Sequence, residues 1–375
     1  MDRRLPLLAC AAALAAGCAH APIACPTVAQ ALAQGVPAGT TAAPAPACPA
    51  PVAYPFTNLV LEGGGVKGIA YGGALGTLDQ QGILTNIERV AGTSAGAITA
   101  VLVALRYEPE QIRSLLYHLD FAKFEDGGSG GFFRLLRRFG FYRGDYYLGL
   151  MRCLVEGKTK DPRSTFADLR RLGMRDLRVF ATDLDRRRGR ELSFEASPEL
   201  EVALAARMSG SFPLFFAAVR ESGEVYVDGG VLRNYPIDAF DQREGVDPAT
   251  IGFVLENTSA PPVHRPVTDL PRYGEALLES LLEVQTDALS TNLPDLERTA
   301  VLDDLGVSTL DFHLTDAQKQ GLIRKGEECT CNYLAEWQRW QREGRPSQTL
   351  PADTEVTLPG SGRCGSAFPP APAAP

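Results

Sequence analysis

Once its first residues are set aside, the sequence holds no apolar run long enough to cross a bilayer as a helix. It also lacks a basic excess. Lys and Arg number 37 against 45 Asp and Glu, a formal net charge of −8, which argues against general nucleic-acid binding. Histidine is scarce, with four in 375 residues. None stands at ligand spacing from the close cysteine pair Cys329 and Cys331, so a metal site there is disfavoured. No internal repeat is visible, which sets aside solenoid and propeller architectures. What is present is 45% hydrophobic and 22% charged residues, enough for a globular core in one large domain with additions, or in two domains.

The N-terminus reads as an export signal. Arg3 and Arg4 are followed by a short apolar stretch, Leu5 to Ala16. Leu14-Ala15-Ala16-Gly17-Cys18 resembles a bacterial lipoprotein cleavage site, with Ala15 where Leu is usual. Ala19-His20-Ala21 is the alternative, an ordinary cleavage site, and Cys10 has too short an apolar stretch before it. The expectation is a signal peptide over 1–17, a lipid on Cys18, and export to the bacterial envelope, the alternative being a secreted or periplasmic protein. Residues 18–55 are rich in Ala and Pro and are expected as an extended linker. Export permits disulfides among Cys25, Cys48, Cys153, Cys329, Cys331 and Cys364. Cys329 and Cys331 flank one Thr and should not bond each other; either could staple Cys364 and tie down the tail.

The chain is organised around Val90-Ala91-Gly92-Thr93-Ser94-Ala95-Gly96-Ala97-Ile98. This is a short apolar strand, a turn of small residues, then an apolar helix to about Leu105. Gly92-Thr93-Ser94-Ala95-Gly96 fits G-x-S-x-G, the turn that lifts a nucleophilic serine above the end of a sheet. A helix N-terminus there favours developing negative charge. Upstream, Asn58 to Glu62 reads as a buried strand, followed by Gly63-Gly64-Gly65-Val66-Lys67-Gly68 and a helix from Ile69 to about Gln81. Gly63, Gly65 and Gly68 also satisfy G-x-G-x-x-G. However, Glu88 precedes the next strand, where a ribose-binding acid should follow it. The alternative is an anion nest of backbone N–H groups, which beside a serine is an oxyanion hole. Lys67 opposes the helix dipole, so it could hold the loop, meet an anionic head group or simply be solvated.

Downstream, Glu224 to Asp228 is a strand that ends in a carboxylate before Gly229-Gly230. Strands are also read at Leu177 to Asp183, Glu191 to Phe194 and Ile251 to Leu255. Helices are read at Pro109 to Leu119, from Thr165, and at Leu200 to Met208, Arg272 to Leu293 and Thr315 to Trp340. This alternation argues α/β with a mainly parallel sheet. Phe132, Leu135, Leu136 and Phe139 share one helical face edged by Arg134, Arg137 and Arg138, after the glycine-rich hinge 127–131. Phe132 to Phe141 suits a membrane interface or a lid over an acyl channel, the alternative being a helix packed on the core.

Three motifs in this order, Gly63 to Gly68, Gly92 to Gly96 and Asp228-Gly229-Gly230, resemble the patatin-like phospholipases. Ala181-Thr182-Asp183-Leu184, Arg207 to Pro213 and Asn234-Tyr235-Pro236 are similar to further segments of that family. The resemblance covers Asn58 to Pro236 well and continues more weakly beyond. It implies a three-layer α/β/α sandwich and a Ser–Asp dyad without metal or cofactor. Ser94 would be the nucleophile, Asp228 the proton acceptor, and the loop Gly63, Gly64, Gly65, Lys67 and Gly68 the oxyanion hole. It also implies hydrolysis of acyl esters through an acyl-enzyme, with a lipid substrate at a membrane surface. The division expected is 56–260 for the catalytic core, 261–345 for a helical C-terminal part of the same domain, and 346–375 for a disordered tail. Two alternatives stay open. One is a Ser-His-Asp esterase or thioesterase using His264 or His313, the latter in what reads as a strand end; His118 precedes Asp228 on a helix. The other is a non-catalytic lipid-binding surface lipoprotein.

Overall fold

The computed structural model describes residues 25–37, 46–128, 130–243, 245–258, 266–268, 270–290, 292–344 and 364–366. Cys10, Cys18, His20 and His264, and with them the signal peptide and lipidation site, lie outside these residues. The strands are β1 (Asn58–Leu61), β2 (Arg89–Thr93), β3 (Gly140–Tyr142), β4 (Asp176–Asp183), β5 (Arg188–Ser193), β6 (Leu214–Phe216), β7 (Val219–Glu221), β8 (Glu224–Asp228), β9 (Thr250–Glu256), β10 (Thr299–Asp303) and β11 (Gly365–Ser366). The helices are α1 (Cys25–Ala33), α2 (Ala70–Gln80), α3 (Ala95–Ala104), α4 (Pro109–His118), α5 (Gly131–Arg138), α6 (Asp145–Thr159), α7 (Phe166–Arg171), α8 (Val202–Ser209), α9 (Leu270–Ser290), α10 (Leu293–Glu297) and α11 (Asp316–Glu343).

Nine strands form one sheet in the order β11-β10-β9-β1-β2-β4-β8-β7, with β5 also on β4. The five central strands, β10 to β4, are parallel, and the flanking pairs are antiparallel. The centre is covered on both faces, as a parallel sheet requires. Leu59, Leu61, Val90, Val179, Phe253 and Leu302 point into one core with residues of α2, α3, α8 and α11. The alternate residues Val60, Ala91, Phe180, Val254 and Val301 point into a second core with Ile237, Phe240, Leu296 and Trp340. This is the expected α/β/α layering. β3 and β6 make a separate two-stranded ribbon. No described helix is long and apolar enough to cross a membrane.

The segments flanking the core differ from expectation. Part of the 18–55 stretch is the helix α1, and disulfides Cys25–Cys153 and Cys48–Cys331 hold this stretch to α6 and α11. Val28 is buried in the main core, so apolar burial and the cross-links overcome the Ala/Pro composition. Within the tail, β11 pairs with β10, anchored by Cys329–Cys364. Residues two apart on a helix point to nearly opposite sides, so Cys329 and Cys331 reach different partners. The 261–345 part is not wholly helical, because β10 joins the sheet.

Candidate active site

Register places the site. Leu61 pairs with Gly92, so β1 and β2 end together, and the glycine loop and Ser94 leave from the same edge of the sheet. In an open α/β sheet this carboxyl edge is where ligands bind. Thr93 pairs with Phe180, and Ala181, one residue on, pairs with Asp228. The antiparallel β8 thus delivers its last residue to the level at which Ser94 begins α3.

Ser94 has φ 51° and ψ −118°, a sparsely populated conformation for a non-glycine residue. Its N–H donates to Ser209 Oγ at 2.8 Å, and Ser209 Oγ donates to the Phe180 carbonyl at 2.6 Å. The turn needs two bare α-carbons. A Cβ on Gly92 would overlap the Gly96 carbonyl, and one on Gly96 would overlap the carbonyls of Leu61 and Glu62. Thr93 Oγ1 donates to the Arg233 carbonyl at 2.9 Å, and Ala95 lines the cavity above.

Ser94 Oγ donates to Asp228 Oδ2 at 2.8 Å, and Gly230 N–H donates to Asp228 Oδ1 at 2.7 Å. Gly229 packs its α-carbon against the Phe180 carbonyl, where no side chain fits. Burial pushes the Asp228 carboxyl up to about 6, while the Gly230 N–H, the Ser94 hydroxyl and the positive charge of Arg207 pull the other way. Arg207 is itself buried and donates to the carbonyls of Arg143, Gly144 and Ala217 and to Ser211 Oγ. The Ser211 carbonyl accepts the Asp228 N–H at 2.9 Å. Arg207 therefore braces the chain that holds Asp228.

The glycine loop divides its work. Gly63 N–H donates to the Asn234 carbonyl, and Lys67 N–H donates to the Gly64 carbonyl, so neither is available to a ligand. Gly68 is used for packing, its α-carbon lying against Ala95. The N–H groups of Gly64 and Gly65 have no acceptor among the described residues, and both glycines line the cavity. Gly65 has φ +56°, and a Cβ there would overlap the Thr309 carbonyl. The Lys67 ammonium pairs with the buried Asp304 at 2.6 Å, so it ties the loop to the end of β10 rather than meeting a ligand.

Three further side chains shape the site without a role read from the sequence. Asn234 donates through Nδ2 to Glu62 Oε1 at 3.0 Å and to the Gly63 carbonyl at 3.2 Å. Burial pushes Glu62 up to about 7, against the Leu255 N–H, Lys67 and Asn234. Gln285 of α9 accepts from Asn234 N–H and donates to the Gly230 carbonyl, both at 2.8 Å. Asn234 lies within the family-like Asn-Tyr-Pro segment. Gln285, far along the chain on an amphipathic helix, left no signal.

Above Ser94 lies a cavity of about 70 Å³, walled by Ile98, Phe121, Phe124, Phe216, Leu278 and Leu282 among others. No histidine is among its lining residues. His118 Nε2 contacts the Gly35 carbonyl, and His313 is exposed in a turn, not at a strand end, because the chain reverses before α11. The expected lid, Phe132 to Phe141, does not cover the cavity. Its helical part is α5, whose Phe132, Phe133 and Leu136 are 62–70% exposed. Arg134 turns back to the carbonyls of Gly127 and Phe141, pinning α5 to its own flanks. Among the described residues, no cluster of three or more His, Cys, Asp or Glu could hold a metal.

The chain matches the family model of patatin-like phospholipases over residues 59–241. YqhO of Bacillus subtilis is 33% identical over 304 residues, covering 75% of this chain and 99% of that protein. A protein of Invertebrate iridescent virus 6 named as a probable lipid hydrolase is 24% identical over 191 residues, 49% of this chain and 62% of its own. Among solved structures, VipD from Legionella pneumophila shares the fold, with a TM-score of 0.53, 20% identity, and coverage of 76% of this chain and 67% of that one. The chain belongs to the patatin-like phospholipase family.

Proposed function

We propose that this protein is a lipid acyl hydrolase working through Ser94 and Asp228. The observation that carries the proposal is the 2.8 Å hydrogen bond from Ser94 Oγ to Asp228 Oδ2 at the floor of an apolar cavity. Ser94 Oγ attacks the acyl carbonyl carbon while its proton passes to Asp228. The N–H groups of Gly64 and Gly65 receive the oxyanion, aided by the N-terminus of α3. Collapse expels the alcohol, which takes the proton back from Asp228, and leaves an acyl-enzyme. Water then attacks the acyl carbon and gives its proton to Asp228; collapse breaks the bond to Ser94 Oγ, which takes that proton back, and the acid leaves. The phenylalanines and leucines of the cavity suit an acyl chain and offer no partner for a polar substrate.

Supporting export, the six cysteines of the described residues are all paired, as an oxidising compartment allows. We infer a protein held to the bacterial envelope through Cys18, acting on lipid at a membrane surface; the mass of the mature N-terminus tests this. The enzyme reading is tested by labelling with a fluorophosphonate, expected on Ser94 and absent in a folded Ser94→Ala variant. Labelling elsewhere, or full esterase activity in that variant, overturns it. His264→Ala is expected to keep its activity, and a loss comparable to that of Asp228→Asn would replace the dyad with a triad.

A further inference from the structure

The cavity over Ser94 is narrow for the substrate proposed. About 70 Å³ holds a few waters, whereas ligand pockets run from roughly 300 to 1,000 Å³. Seating a long acyl chain therefore calls for a wall that gives way. α9 is built to be that wall. One of its stripes faces inward: Gly274 lies against Leu214, Leu278 and Leu282 line the cavity, and Gln285 grips Asn234 N–H and the Gly230 carbonyl. Glu275 also accepts from Ser308 Oγ, on the loop that braces the glycine turn. The adjacent stripe, Tyr273, Leu277, Leu281 and Val284, is 41–66% exposed. Apolar side chains on two adjacent stripes, only one of them packed inward, leave the other without a partner in water.

A second unpartnered apolar face stands nearby. α5 presents Phe132, Phe133 and Leu136, and beside them Arg137 and Arg138 are exposed with no ion pair among the described residues. The β3–β6 ribbon lies between the two helices, with Gly131 of α5 against Phe141 and Gly274 of α9 against Leu214. On a chain of net charge −8, this local basic edge complements phosphate-bearing head groups.

We propose that the outer stripe of α9 and the apolar face of α5 form one docking surface for an anionic phospholipid bilayer, and that docking draws α9 off the cavity. The narrow cavity in water and the exposed stripe are then two consequences of one arrangement. The helix that walls the site is then the helix that lipid binds. This rests on the acyl-hydrolase reading for its purpose but not for its test. Binding is measured by co-sedimentation of the full-length Ser94→Ala protein with phosphatidylcholine vesicles containing phosphatidylglycerol. The triple variant Leu277→Ser, Leu281→Ser, Val284→Ser is expected to lower vesicle affinity about tenfold. With Ser94 restored, hydrolysis of vesicles should fall to a similar degree, while a short-chain soluble ester and the melting temperature stay unchanged. A bulky water-soluble fluorophosphonate should label the wild type several-fold faster when vesicles are added, and the triple variant should not respond. Unaltered vesicle binding by the triple variant overturns the docking surface. An equal loss on soluble ester and vesicles overturns it too, by showing a structural role. Labelling that ignores vesicles in the wild type overturns the opening. If no variant or wild type cleaves any ester, the enzyme reading fails while the co-sedimentation result still decides docking.

Discussion

In the proposed mechanism Asp228 has to do two opposed things, to be buried and to accept a proton. Burial raises its carboxyl to about 6, from an ordinary value near 3.8, and so makes it a better base. It must be ionised to take the Ser94 proton, so kcat/KM on a soluble ester should rise with pH and level off above about 6. A profile flat from pH 5 to 8 would remove Asp228 from the proton path. The same shift has a stability sign. The folded protein holds the Asp228 proton more tightly than the unfolded chain. The site is therefore least costly below about pH 4, and stability is lost as pH rises through about 6. Two pKa units correspond to a few kcal/mol at most. Asp228→Asn keeps an acceptor for Gly230 N–H and carries no charge. It is expected to lose activity by about 10²–10⁴-fold, yet to melt above the wild type at pH 8. That advantage should vanish near pH 4. A variant that melts lower at pH 8 would show that the carboxylate stabilises the fold.

At the scale of elements, the glycine loop shows what a motif reveals and what it hides. Gly63 to Gly68 reads as an anion nest from its glycines and its place after a strand. Which N–H groups remain available was not legible, because that depends on Asn234 and Thr309, brought in from distant segments. Gly65→Ala should therefore be severe. Its Cβ meets the Thr309 carbonyl and its φ is positive, so the loop must turn and lose its donors. Losing one such donor costs about 10²–10³ in kcat. Gly76→Ala, at an open position in α2, should be silent in the same assay. Equal activities would argue that the loop is not the oxyanion hole. The central strands were readable because parallel strands buried on both faces are continuous apolar runs, as in Asn58 to Leu61 and Ile251 to Leu255. β10 was missed although it is equally buried. Its five residues, Thr299–Asp303, follow a long helix and a short one without a turn signal. α5 and α9 were both visible as amphipathic helices. Periodicity gives a stripe but not what lies beneath it. The sequence therefore offers α5 as a lid or membrane interface, while the residues that line the cavity are Leu278 and Leu282 of α9.

At the scale of the whole molecule, the termini are held by chemistry rather than by composition. Cys25–Cys153 and Cys48–Cys331 close spans of 128 and 283 residues, and Cys329–Cys364 closes 35. Cross-links over such spans restrict the unfolded chain, typically contributing about 2–4 kcal/mol each. α11 takes part in two of them and in packing on both sides of the sheet, through Leu322 and Tyr333 in one core and Trp340 in the other. None of the six cysteines lines the cavity. Reduction should thus act on stability and leave the chemistry alone. With each kcal/mol moving the melting temperature by roughly 2–4 °C at most in a protein of this size, full reduction is expected to lower it by about 10 °C or more. Initial rates on a soluble ester at 25 °C should stay within about twofold, because the sheet edge that carries Ser94 is held by buried strands. The two readings separate by mass. Alkylation of the native protein should leave all six thiols of the described residues unmodified, and alkylation after reduction should modify them. Free thiols in the native protein would disprove the pairing. An unchanged melting temperature after verified reduction would show that the apolar seating of α1 and the pairing of β11 with β10 suffice. A loss of initial rate at 25 °C would show that the tethered segments shape the site itself.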